Sequence, residues 1–87
     1  MLKSGKKEQV AKRLNRISGQ VDGIKKMVDD SRYCVDVLNQ IAAVRAALSG
    51  VGQFILEDHL KTCVSTAIKK GKGQAHIKEL MDVFKKF

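Results

Sequence analysis

Proline and tryptophan are absent from this chain of 87 residues, and aromatic residues amount to only 5% of it. Without proline the strongest helix breaker is missing, and with so few aromatics the core has to come mainly from aliphatic side chains. Cysteine is scarce as well. Two residues, Cys34 and Cys63, cannot staple a disulfide-rich secreted scaffold and read instead as reduced thiols of a cytoplasmic protein. The start, Met1 to Lys7, lacks the apolar segment of a signal peptide. Long hydrophobic runs are missing too: the most apolar stretch, Ile41 to Leu56, is interrupted by Arg45 and Gln53 and reads as too short to span a bilayer. A soluble protein with no membrane role is expected. Acidic residues are outnumbered, 9 against 17 Lys and Arg, which leaves a net charge of +8. That balance points to an anionic partner, nucleic acid before an acidic membrane surface. No nucleophile–base pair or phosphate-binding loop is present, so an enzyme is not expected.

What is present is helical pattern. Hydrophobic residues make up 44% and charged ones 30%, the composition of a folded chain. Its length allows a single domain, residues 1–87, near the size at which a lone core is marginal. An all-α protein that completes its core by oligomerising follows. Residues 1–7 read as a flexible basic tail. Val10, Leu14, Ile17, Val21, Ile24 and Val28 then form a heptad seam, with Lys12, Arg16, Gln20, Lys25 and Lys26 opposite. Asp29-Asp30-Ser31 breaks the pattern, and any of the three can cap the next helix, which is expected from about Arg32.

The second seam runs Cys34, Val37, Ile41, Val44, Leu48, Val51, Ile55, His59, Cys63, with Leu38, Ala42, Leu56, Leu60 and Ala67 beside it. Gly50 and Gly52 are its weak points. They either permit close helix crossing or mark a turn; the seam keeps phase across them, which favours one continuous helix. Lys69-Lys70-Gly71-Lys72-Gly73 is a stop signal. A short third helix should carry Ile77, Leu80, Met81, Phe84 and Phe87 on one face. The expected order is long, long, short.

Three metal-capable side chains share the second seam. His59 and Cys63 are spaced i, i+4 and so project from one helix face. Cys34 precedes His59 by 25 residues, roughly 37 Å along a continuous helix at about 1.5 Å per residue. One straight helix cannot close such a site, whereas two antiparallel chains can, with Cys34 of one meeting His59 and Cys63 of the other. Two thiolates and an imidazole suit Cu(I), while structural zinc would want a fourth ligand. The plain alternative is that Cys34 is a small buried hydrophobe; a histidine on the same seam is harder to explain that way. His76 reads as a solvent-facing residue at the start of the third helix.

Basic residues cluster at Lys3, Lys6, Lys7, Lys12, Arg13 and Arg16, and again at Lys61, Lys69, Lys70 and Lys72. A solvated surface would account for either cluster alone; together with the net charge they favour nucleic-acid binding, with Lys12, Arg13, Arg16, Lys69 and Lys70 as the candidate contacts. No helix-turn-helix, zinc-finger or ribonucleoprotein motif accompanies them.

The stretch Arg13-Leu14-Asn15-Arg16-Ile17-Ser18-Gly19-Gln20-Val21-Asp22-Gly23-Ile24 resembles the Arg-Leu-x-Arg-Ile-x-Gly-Gln-Val-x-Gly-Ile signature of the copper-sensitive operon repressor (CsoR) family. Tyr33-Cys34 followed by His59-x-x-x-Cys63 resembles the ligand set of its Cu(I)-sensing branch. The nickel and cobalt branch recruits extra histidines, including one near the N-terminus, and no histidine precedes His59 here. The persulfide-sensing branch lacks the histidine, and the formaldehyde-responsive branch lacks the second cysteine. The resemblance implies a transcriptional repressor that holds double-stranded operator DNA when metal-free and leaves it on binding Cu(I), derepressing copper-resistance genes. It implies an antiparallel four-helix-bundle dimer paired into a tetramer. It also implies that Tyr33 and Glu79 hydrogen-bond the imidazole nitrogen that copper leaves free, and that Arg13 contacts DNA. Two other functions stay open: a copper-buffering or chaperone protein with no DNA role, and a repressor sensing persulfide or thiol redox state through Cys34 and Cys63.

Overall fold

The computed structural model describes residues 2–86, and for Cys63 and Val64 the backbone alone. All its regular structure is helical: α1 (Ser4–Asp29), α2 (Cys34–His59), a π-helical turn (Leu60–Val64), α3 (Ser65–Lys69) and α4 (Gly73–Phe84). From Cys34 to Lys69 the chain is helical without a break for 36 residues, so the long, long, short order holds. Gly50 and Gly52 lie inside α2, and a methyl built on Gly50 would meet nothing within 4 Å in the protomer. The glycines do not mark a turn.

Several boundaries differ from expectation. Helix α1 begins at Ser4, with the Lys7 amide bonded to the Lys3 carbonyl at 2.8 Å, so most of the expected basic tail is helical. Lys6, Lys7, Glu8 and Gln9 are good helix formers, and nothing in Ser4-Gly5 stops the helix from extending over them. The break after α1 is a Schellman motif. The Arg32 amide donates to the Met27 carbonyl at 2.9 Å and the Ser31 amide to Val28 at 3.1 Å, with Ser31 in the left-handed region at φ 53°. Ser31 therefore ends the first helix and does not cap the second. Helix α2 starts at Cys34, two residues later than expected, and Tyr33 is its N-terminal boundary residue. The Tyr33 carbonyl accepts from the amides of Asp36 and Val37 at 3.0 and 3.2 Å.

The chain divides into two compact units, one from Lys3 to Gly52 and one built mainly from Gln53 onward. In the first, Val10, Ile17 and Val51 are buried, while Leu14, Val28, Leu38 and Leu48 are 40–62% exposed. In the second, Ala67, Gly73 and the carboxylate residue Asp58 are buried. Ile68, Ile77, Met81 and Phe84 are exposed; of the apolar face expected on the short helix only Leu80 is half-buried, and Phe87 lies outside the described residues. No large side chain is fully buried among the described residues. A protomer with so thin a core leaves most of its apolar seam on the surface. The run from Cys34 to Lys69 is also long and apolar enough, by length and composition alone, to cross a bilayer, so shortness does not exclude a span as Ile41–Leu56 suggested.

The corner between α3 and α4 is the most tightly specified part of the second unit. Gly71 takes φ 78°, its amide bonds the Ile68 carbonyl at 3.0 Å, and the Lys72 amide reaches back to Ala67 at 2.7 Å. This is a second Schellman motif, here with the glycine it favours. Gly73 then sits against Ile68: an added Cβ would fall 2.5 Å from Ile68 Cγ1 and 3.2 Å from its Cα. Only glycine allows α4 to start this close to α3.

Candidate metal centre and basic face

Cys34 is the first residue of α2, a free and exposed thiol in the first unit. Tyr33 beside it is 70% exposed. His59, the last residue of α2, belongs to the second unit and is half-buried. Cys63 falls in the π-helical turn, and its side chain lies outside what the structure describes. Glu79 is exposed on α4. Among the described residues no three His, Cys, Asp or Glu side chains converge on one point.

The backbone between His59 and Cys63 departs from the geometry assumed from spacing. It is π-helical, with its turn one residue wider than an α-turn. The residues that follow His59 explain this locally. Thr62, Val64 and Thr66 are β-branched and poor helix formers, and hydroxyls tie back to the backbone in succession. The Thr62 hydroxyl donates to the Asp58 carbonyl at 2.9 Å, Thr66 to Thr62 at 2.8 Å, and Ser65 to Leu60, five residues back, at 3.3 Å. Such back-bonding loosens the α ladder, and single π turns are frequent at functional sites.

Two features beside His59 were not expected. Asp58 is only 4% exposed, yet it is paired within the fold, and no buried side-chain polar atom among the described residues is left without a partner. His76 is half-buried, not solvent-facing: its ring stacks on that of His59, centroids 6.3 Å apart and planes at 28°. The tight start of α4 at Gly73 brings it there. A spacing of seventeen residues across a glycine corner carries no periodic signal, which is why the pair is invisible in the sequence. Glu57, in contrast, binds Lys61 at 2.9 Å as an exposed i, i+4 pair of little energetic weight.

On α1, Lys12, Arg13 and Arg16 are exposed and, with Gln9, line a shallow depression of about 350 Å³. Arg13 and Arg16 also border a larger cavity of about 500 Å³, shared with Ile17 and Gln20 and closed by Ala47, Gly50 and Val51 of α2. One strip of helix thus gathers three cations beside Gln9 and Gln20. Lys69 and Lys70, at the end of α3, are exposed cations of the other unit.

Comparison with known proteins gives this arrangement its context. The sequence profile of the metal-sensitive transcriptional repressor family matches residues 6–86. The copper-sensing transcriptional repressor CsoR of Bacillus subtilis (strain 168) is 56% identical over 84 residues, covering 97% of this chain and 83% of that protein. The crystal structure of the copper-sensing repressor CsoR with Cu(I) from Geobacillus thermodenitrificans NG80-2 superposes with a TM-score of 0.94 at 49% identity, covering 100% of this chain and 91% of that one. The nickel-responsive transcriptional regulator InrS is more distant, with a TM-score of 0.77 at 38% identity over 91% of this chain and 89% of that one. The chain belongs to the metal-sensitive transcriptional repressor family, the family of CsoR.

Proposed function

We propose that this protein is a Cu(I)-responsive transcriptional repressor of the cytoplasm, bound to operator DNA when metal-free and released by copper. The observation that carries the reading is the likeness over the whole chain to a CsoR structure holding Cu(I), in a sequence that has Cys34, His59 and Cys63 as soft donors.

The donor set suits the ion. Cys34 is a free, exposed thiol and His59 a half-buried imidazole, and with Cys63 they make a soft, three-donor set. Cys34 of one protomer and His59 with Cys63 of a second would hold the ion across an antiparallel dimer. Copper supplies, when bound, a strong link between thiolates of two chains. Tyr33 and Glu79 take the role of hydrogen-bond acceptors for the second imidazole nitrogen, orienting the ring and coupling it to α4. Apolar side chains left exposed along α1, α2 and α4 support assembly with further copies, as a dimer and a dimer of dimers.

Lys12, Arg13, Arg16, Lys69 and Lys70 supply phosphate contacts, which position the protein on the duplex without reading its bases. Copper then acts by favouring an arrangement of subunits whose basic strips no longer match the phosphate spacing. A coupling of about 1–3 kcal/mol lowers DNA affinity roughly 5- to 150-fold. The test is fluorescence anisotropy on DNA from upstream of the coding sequence, with reduced metal-free protein and after one equivalent of Cu(I). Tight binding that disappears with Cu(I) is expected. Binding of Cu(I) by a protein with no affinity for DNA would identify a copper buffer instead, and release by a persulfide donor but not by Cu(I) a thiol sensor.

A further inference from the structure

His76 has no part in the copper site, yet its ring lies against that of His59. Both histidines are half-buried and both belong to the compact unit built from Gln53 onward. Among the described residues, none of their ring nitrogens has a hydrogen-bond partner. Half-buried imidazole nitrogens without partners are available to a ligand, and a metal ion is the ligand two of them share best. The separation of the rings, though not their orientation, is near what that requires. An ion about 2.0–2.1 Å from one nitrogen of each ring, at a tetrahedral angle, places the ring centroids about 5 Å apart. They stand at 6.3 Å with planes at 28°; a shared ion must lie in the plane of both rings, so both imidazoles turn out of the stack about their side-chain torsions to bind it.

The fold also holds the second histidine in place. Gly73 locks the start of α4 against Ile68, and His76 follows within the first turn of that helix, so its backbone cannot drift from the end of α2 without opening the corner.

We propose that His59 and His76 form a two-imidazole chelate for a borderline divalent cation, zinc in the first instance, contained within one protomer, an open and exchangeable site with water in the remaining positions and not a structural one. It shares His59 with the copper site proposed above but needs neither cysteine and no second chain. Nitrogen donors without thiolate favour zinc, nickel or Cu(II) over Cu(I). The site therefore gives the protein a second metal-binding mode, which competes for the imidazole that copper uses.

The test is Zn(II) titration of the full-length Cys34→Ala/Cys63→Ala chain against a chromophoric chelator, with imidazole carbon and proton resonances followed by NMR. One Zn(II) per protomer is expected, shifting the signals of both His59 and His76. Adding His76→Ala or His76→Gln leaves a single imidazole and should abolish measurable competition with the chelator, with helix content unchanged by circular dichroism. Zinc affinity that is the same with and without His76, or a shift of one imidazole only, overturns the proposal. Cu(I) titration of otherwise wild-type His76→Gln should match the unaltered protein. Failure of the unaltered protein itself to bind Cu(I) would remove the copper reading and leave the zinc result to stand or fall separately.

Discussion

At the scale of single residues, donor atoms set among aliphatic side chains carry the chemistry of this chain. Cys34, His59 and Cys63 stand out because each interrupts an apolar seam with a donor atom, a departure visible in one dimension. The stacking of His76 on His59 is a property of the folded corner, and no local pattern announces it. Ser31 shows a different blind spot. Serine before a helix reads as an N-cap, but here it occupies the left-handed position that closes α1, where glycine is the usual choice and gives no penalty at Cβ. Ser31→Gly should therefore stabilise the metal-free protein by about 0.5–1 kcal/mol, the relief of Cβ strain being partly offset by a freer unfolded chain. Urea unfolding at fixed protein concentration measures this; an unchanged or lower midpoint contradicts the strained-serine account.

At the scale of elements, the heptad steps gave both long helices and their phase, because burial on one face of a helix needs a 3-and-4 alternation in the sequence. Ends were harder. Helix α1 runs further toward the N-terminus than its apolar seam, since polar helix formers extend it where no packing is needed. The π turn at Leu60–Val64 escaped because a one-residue widening barely disturbs a short pattern; the hydroxyl and β-branched cluster from Thr62 to Thr66 is the signal that was available. The lysine–glycine stop was legible, but the reason for its second glycine is tertiary. Gly73→Ala forces a methyl into Ile68, and overpacking of this kind costs about 1–3 kcal/mol. It should loosen α4 first, seen as faster amide exchange in α4 than in α1. Equal protection throughout would show that the corner relaxes freely.

At the scale of the whole molecule, apolar surface exceeds what a lone protomer covers. Val28, Leu38, Leu48, Met81 and Phe84 are each more than half exposed, so a stable monomer is not expected, and light scattering of metal-free protein should give a dimer or larger. With Lys12, Arg13 and Arg16 as the proposed phosphate contacts, DNA affinity should fall steeply with salt. Arg16→Ala should weaken it on all sequences and reduce the salt slope by about 1 for each phosphate left without its cation, with Cu(I) binding unchanged. Parallel failure of both activities would indicate misfolding instead. Whether copper bridges two chains, as proposed, is read directly from Cu(I) titration of Cys34→Ala and Cys63→Ala chains, separately and after unfolding and refolding together. In a two-fold dimer each mixed pair carries one site with all three donors and one with neither cysteine. Random mixing then restores about a quarter of the high-affinity sites, while each variant alone has none. No recovery on mixing, or full affinity in either variant alone, would contradict a site shared between protomers.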